Sequence, residues 1–197
     1  MPIEQQTIIF IVVCVIVSIA IIALILGLSL GLKHKKNNTQ NVMNAGSNID
    51  KNIWINEHNR VRRDVGQPPV FWNQDMANAS TAYAEQCKGM NHSPQDQRIY
   101  NNILLGENLI EATPAVYTPA NGKPTFIYPT DRDYVVAWEN EKQYYHHPQY
   151  PNHDNGHYVQ MINKNVKEIG CGCSMCNNKK LCVCRYNPSQ IENQYPY

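Results

Sequence analysis

Cysteine spacing carries the first chemical information in this chain. Cys171, Cys173, Cys176, Cys182 and Cys184 crowd one short stretch, and Cys87 stands well before them. Thiols arranged this way either oxidise in pairs or ligate zinc. If the segments around 171–173 and 182–184 are antiparallel strands, the pairs 171/184 and 173/182 have the same index sum and sit directly opposite. Positions two apart on a strand share a face, so both bridges would lie on one side of the ribbon at a separation a disulfide tolerates. Cys176 lies in the connecting loop with Asn177, Asn178, Lys179 and Lys180, free to reach a distant partner, and outside the apolar N-terminal run, which holds Cys14, Cys87 is the cysteine that remains. The predicted set is Cys87–Cys176, Cys171–Cys184 and Cys173–Cys182. A zinc knot built from the Cys-x-Cys pairs is the competing chemistry. Structural zinc sites usually space each ligand pair by about two to four residues and show no cross-strand register.

Acid–base or metal chemistry needs imidazoles and carboxylates held by regular elements. Alternation over 157–161 predicts a strand that sends His157, Val159 and Met161 to one face, and Tyr158 and Gln160 to the other. A first helix is predicted over 51–65, where Trp54, His58, Val61 and Val65 form one stripe and Glu57, Arg60, Arg62 and Arg63 lie off it. His58 thus falls on the apolar face, where a hydrogen-bonded core histidine is commoner than a ligand. Gln67-Pro68-Pro69 ends that helix, and Asn73 caps a second one to about Gln86, with Ala77, Ser80, Ala84 and Cys87 inward. A third helix starts near Asp133 and carries Tyr134, Trp138, Glu141 and Tyr145 on one stripe. Glu141 then faces inward, where a carboxylate needs a partner, and Glu139 points away. The runs Met90–Pro94 and Leu105–Leu109 read as loops holding one titratable group each, His92 and Glu107. Residues 111–133, with Pro114, Pro119, Pro124 and Pro129 and the aromatics Tyr117, Phe126 and Tyr128, exclude helix and predict a long surface loop. His146, His147 and His153 fall in Pro-rich loops and read as solvated. The His153-x-x-x-His157 spacing signals a metal only on a helix, which Pro148, Pro151 and Gly156 oppose.

By composition the 197 residues divide into a tail (1–7), an uncharged apolar run (8–32), a polar Asn-rich linker (33–50) and one domain (51–197). As a helix, Ile8 to Leu32 would extend about 37 Å against a hydrocarbon core of about 30 Å, which predicts one transmembrane helix. A cleaved signal peptide normally has an apolar region of only about 7–15 residues, so an uncleaved single-pass anchor is favoured. Cys14 lies inside that run as an apolar side chain. Lys33-His34-Lys35-Lys36 would hold the domain on the cytosolic side, whereas paired cysteines require an oxidising compartment. Large domains translocate despite flanking charge, so the domain is expected on the extracellular or lumenal side, or on a virion surface. Removing Lys33, Lys35 and Lys36 from 17 basic residues, and Glu4 and Asp50 from 16 acidic ones, leaves 14 of each in the domain. That balance gives no electrostatic basis for binding nucleic acid.

Several runs occur together and in order: Glu57-His58-Asn59-x-x-Arg62, Gly106-Glu107-Asn108, Trp138-x-x-Glu141-Lys142-Gln143-Tyr144-Tyr145, Gly156-His157-Tyr158-x-Gln160, Ile169-Gly170-Cys171, Cys176-Asn177-Asn178 and Cys184-x-Tyr186-x-Pro188. On these residues the stretch from about 53 to 197 resembles the CAP superfamily (the SCP domain), which includes cysteine-rich secretory proteins, insect venom antigen 5 and plant pathogenesis-related proteins. The Glu-Lys-Gln-Tyr-Tyr run and the terminal Pro196-Tyr197 are most similar to the plant branch. Asn155 replaces the plant-type cysteine before Gly-His-Tyr. The resemblance implies an α+β fold, a three-layer α-β-α sandwich with a central antiparallel sheet, here preceded by the transmembrane helix. It also implies a cleft holding His92, Glu107, Glu141 and His157. Two imidazoles and two carboxylates could form a first shell for zinc or another divalent cation, or a self-satisfied hydrogen-bonded cluster without metal.

The expected function is a non-enzymatic, membrane-anchored binding module that takes a lipid, a sterol-like molecule or a protein through the cleft and the 111–133 loop. A hydrolase is the second reading, with a metal at His92 and His157 activating water or with Ser93 as nucleophile. There is no His-Glu-x-x-His, and Ser93 lacks a sequence-defined oxyanion element. A structural component of a membrane or virion coat is the third. Asn37, Asn78 and Asn91 begin glycosylation sequons, of which Asn37 and Asn78 are the expected sites, because a glycan at Asn91 would crowd His92.

Overall fold

Two strands, β7 (Glu168–Cys176) and β8 (Lys179–Asn187), form the spine of the domain. Asn177 and Asn178 join them with φ of 48° and 65°, the left-handed region that asparagine tolerates and a tight hairpin turn needs. The connection is therefore shorter than the expected loop, and Cys176 is the last residue of β7. The computed structural model describes residues 49–120, 122–190 and 194–196. The expected membrane helix over 8–32, Cys14, most of the linker and the sequon at Asn37 lie outside the described residues. Among those described, no helix is long and apolar enough to cross a membrane.

Strand β4 (Gly106–Ala112) pairs antiparallel with β8, and the two-residue β1 (Phe71–Trp72) pairs parallel with β7, giving the order β1-β7-β8-β4. The sheet is mixed, not wholly antiparallel as expected. Phe71 N donates to Lys167 O, and Asn73 N to Ile169 O, as the chain is handed alongside β7 into the next helix. Two further ribbons stand apart from this sheet: β2 (Ile99–Tyr100) with β3 (Ile103–Leu104), and β5 (Ala115–Tyr117) with β6 (Thr125–Ile127).

Among the described residues four α-helices complete the fold: α1 (Lys51–Asp64), α2 (Gln74–Ala84), α3 (Asp131–Glu139) and α4 (Gly156–Ile162). Side-chain caps start three of them. Asp50 accepts from Asn52 N, Asn73 accepts from Met76 N, and Thr130 forms a reciprocal capping box with Asp133.

Strand period divides the sheet into two faces. Ile169, Cys171, Cys173, Cys182, Cys184 and Tyr186 join Trp54, Val61, Tyr134, Trp138, Val159 and Met161 in one core beneath α1, α3 and α4. The alternate residues Leu181 and Val183 pack with Tyr83 and Ala84 of α2 on the other side. Helix α2 lies close because β7 offers it glycines: a Cβ at Gly170 would stand 2.3 Å from Ala77 N, and one at Gly172 2.1 Å from Thr81 Oγ1. Ser80 Oγ donates to Gly170 O across this contact at 2.8 Å.

The structure corrects five local expectations. Residues 156–162 are helix, not strand; all of Tyr158 to Ile162 are buried, so five residues of apparent alternation could not separate the two periods. Leu105–Leu109 is largely β4, whose buried polar Glu107 and Asn108 disguise it as loop. Residues 111–133 are not surface loop throughout: they hold the β5–β6 ribbon, and α3 begins within them at Asp131. Helix α3 ends at Glu139, so Glu141 sits on the 3-10 turn Asn140–Tyr144, and Glu139 turns inward to pair with Arg60 and Lys142. Arg62, off the apolar stripe, is fully buried and donates to the carbonyls of Pro68, Met161, Asn163 and Val166.

Candidate functional site

A cleft of about 530 Å³ opens between the loop after α2, strand β4 and helix α4, with His92, Glu107, Asn108, His157 and Gln160 in its wall. Each imidazole is backed by a carboxylate. Glu107, whose side chain is wholly buried, accepts at Oε1 from His92 Nδ1 (3.0 Å) and Ser93 N (2.8 Å), and at Oε2 from Ser93 Oγ (2.5 Å). Arg185 Nε stands 3.6 Å from the same Oε2. Burial pushes the Glu107 carboxyl up, but the hydrogen bonds from His92 and Ser93 outweigh it and hold the group below its ordinary value.

Glu141 does two jobs. Its Oε1 accepts from His157 Nδ1 at 2.5 Å, while Oε2 accepts from the backbone N–H groups of His157 and Tyr158 at 2.8 and 3.2 Å. Those N–H groups belong to the first turn of α4, where no intrahelical partner exists and Asn155 provides no side-chain cap. A carboxylate from a distant element thus both starts the helix and orients its first imidazole. Trp138 stacks on the His157 ring at 6.0 Å and 22°, and its Nε1 donates to Leu109 O.

Carboxylates only accept, so each Nδ1 carries the ring proton and, in the neutral ring, each Nε2 keeps a lone pair. Among the described residues no hydrogen bond takes either Nε2, and the His92 and His157 side chains are 54% and 31% exposed. Imidazole nitrogens are donors that a zinc-type ion takes, and here both carboxylates are already engaged by N–H and O–H donors, including the imidazoles' own. Accordingly, no three His, Cys, Asp or Glu side chains among the described residues are grouped closely enough to enclose a metal.

The other candidates fall elsewhere. His58 is fully buried, with Nδ1 2.8 Å from Trp54 O and Nε2 2.9 Å from Tyr186 Oη. Burial pulls its pKa down to about 4. His153 is a fully exposed rim residue beside Asp154, and His146 and His147 are also exposed. Ser93 is buried under Glu107. Asn78 is exposed on α2 and Asn91 beside His92. Disulfides join Cys87 to Cys176, Cys171 to Cys184 and Cys173 to Cys182; the last two pairs face each other in the β7–β8 register.

Three contributors carried no assigned role in the sequence. Asn108 donates from Nδ2 to both Tyr186 Oη and His157 O, linking the core histidine's partner to the cleft helix. Gln160 Oε1 accepts from Gln190 N and fills the space that a Cβ at Gly106 would need, 2.1 Å away. Both stand in runs quoted above, Gly-Glu-Asn and His-Tyr-x-Gln. Arg185 has no local signal at all, since its partner is 78 positions away in the chain.

A family model described as the cysteine-rich secretory protein family, CAP, matches residues 55–186. Pathogenesis-related protein 1C of Nicotiana tabacum is 30% identical over 149 residues, covering 73% of this chain and 79% of that protein. Venom allergen-like protein 4 of Schistosoma mansoni superposes with a TM-score of 0.57 at 29% identity, over 77% of this chain and 93% of the other. The structure of NaASP2 with Zn2+ shares the fold at a TM-score of 0.58 and 18% identity, over 76% of this chain and 86% of that one.

Proposed function

This chain belongs to the CAP family, and from that premise we propose that its cleft is a binding site that takes a zinc-type divalent ion through His92 and His157. The observation that carries this reading is the pair of carboxylate-backed imidazoles in one cleft, each with Nε2 left to a ligand. Zinc in the NaASP2 structure supports the same chemistry on the same fold. Glu107 and Glu141 hold the rings in the tautomer that ligates; water would complete the shell.

The wider role is that of a non-enzymatic module held at a membrane by residues 8–32, presenting the cleft to a lipid, a sterol-like molecule or a protein on the extracellular or lumenal side. Support comes from the apolar run, from the three disulfides, which need an oxidising compartment, and from the family's description as secretory. Hydrolysis through Ser93 is disfavoured by geometry. Its hydroxyl is buried and donates to a carboxylate, and among the described residues no imidazole reaches it.

Calorimetric titration of zinc into the full chain and into a His92→Ala, His157→Ala double variant tests the reading. Zinc binding is expected in the first and lost in the second. Equal binding by both would refute it.

A further inference from the structure

Residues 112–130 contain no acidic side chain and a single cation, Lys123. Within them β5 and β6 form a ribbon of two strands outside the central sheet. Val116, Tyr117, Phe126 and Ile127 are 59, 60, 56 and 55% exposed, a group of four uncovered large apolar side chains on one ribbon. Opposed residues of an antiparallel pair share a face. Val116 therefore stands with Phe126 on one side, while Tyr117 with Thr125 and Ala115 with Ile127 occupy the other. The ribbon is apolar on both faces.

That two-sidedness decides between occupants. A protein partner docked flat against a ribbon covers one face and leaves the other in water, whereas the boundary between lipid headgroups and acyl chains surrounds both. The base of the ribbon is tied to the domain, with Tyr128 Oη donating to Asn178 O at 3.2 Å and Lys179 pairing with Glu111 at 2.7 Å. Its far end has no such ties among the described residues.

We propose that the β5–β6 ribbon is a membrane foot, inserting Val116, Tyr117, Phe126 and Ile127 shallowly into the bilayer that anchors the chain. This rests on the reading of residues 8–32 as a membrane segment. Only the 18 residues 33–50 separate that segment from the domain, a length that keeps the domain within reach of lipid whichever side it occupies. Depth is limited by the backbone: among the described residues the outer edge of each strand has no partner, and unpaired N–H and C=O groups cannot enter hydrocarbon. Tyr117, with a polar tip on an apolar ring, and Lys123 suit the headgroup level.

Reconstitution of the full chain carrying Phe126→Trp into phosphatidylcholine vesicles with a minor share of phosphatidylserine tests the inference. Acyl-chain-brominated phosphatidylcholine is the quencher. The added tryptophan should shift to the blue and lose most of its emission to the brominated lipid, beyond any loss in the parent chain, whose Trp54 and Trp138 are buried and whose Trp72 is half-buried. Adding Val116→Asp should abolish that extra quenching. Quenching in Phe126→Trp no greater than in the parent would overturn the inference, as would cross-linking of two chains through the ribbon without quenching. Resistance of the same vesicles to alkaline carbonate extraction reports the anchor separately. An unquenched ribbon on an inextractable chain therefore sinks the foot and leaves the anchor standing; a quenched ribbon on an extractable chain does the reverse.

Discussion

His58 sets a prediction that can be worked through from geometry. Its Nδ1 faces the Trp54 carbonyl, so the proton sits there and Nε2 accepts from the Tyr186 hydroxyl. A second proton would have to enter a fully buried site that already contains the Arg62 guanidinium, and the imidazole pKa falls from 6.5 to about 4, burial being the larger cause. Between those values the unfolded chain binds a proton that the folded chain refuses. Stability is therefore intact near neutrality, falls as pH drops through that window and levels off below about 4. At about 1.4 kcal/mol per tenfold change in proton affinity, the loss by the lower end amounts to about 3 kcal/mol. Glu107 and Glu139, both held below the ordinary carboxylate range, add their own acid sensitivity lower on the scale. They are common to any His58 variant and cancel in the comparison. Urea unfolding of the full chain in detergent, wild type against His58→Gln, isolates the effect. Glutamine can donate to Trp54 O and accept from Tyr186 but does not titrate. The variant should be weaker near neutrality, and the gap should narrow by about 3 kcal/mol on acidification. The His58 ring signal in NMR should stay neutral until about pH 4. Parallel stability curves, or a ring that titrates near the ordinary histidine value, would refute the reasoning.

Other outcomes follow from the same contacts. Glu141→Gln should weaken zinc binding by about 10–100-fold, because one acceptor can no longer serve both the imidazole and the helix start; unchanged calorimetry would assign the orientation of His157 to Trp138 stacking. Arg62→Met should cost about 3 kcal/mol or more, since it leaves the buried carbonyls of Met161, Asn163 and Val166 without their donor, and a denaturation midpoint unmoved by it would contradict the hydrogen bonds described. The Cys87–Cys176 bridge closes 89 residues and Cys173–Cys182 only 9 within a hairpin already paired. Paired serine substitutions should therefore cost about 4–5 kcal/mol at the first and about 2–3 at the second in the loop-closure picture, and a reversed order in thermal melts would overturn it.

Much of the scaffold was legible in the residues alone because its signals are local or periodic. Equal index sums of the cysteine pairs are the register that β7 and β8 adopt. The His58 stripe marks a core face, and the cap at Asn73 marks a helix start, because each depends on neighbours within a turn or two. Tertiary structure decided what depends on groups far apart in the chain. Helix α4 exists where alternation suggested a strand because Glu141 satisfies its first N–H groups from another element, and Glu107 can be buried on a strand because the donors of Ser93 and the nearby Arg185 compensate its charge. The same contacts engage both carboxylates with the imidazoles and with nearby N–H and O–H donors. Sequence could name the four side chains, but hydrogen bonds are allotted only when the chain closes, and a carboxylate oxygen has few lone pairs to divide among the donors that reach it.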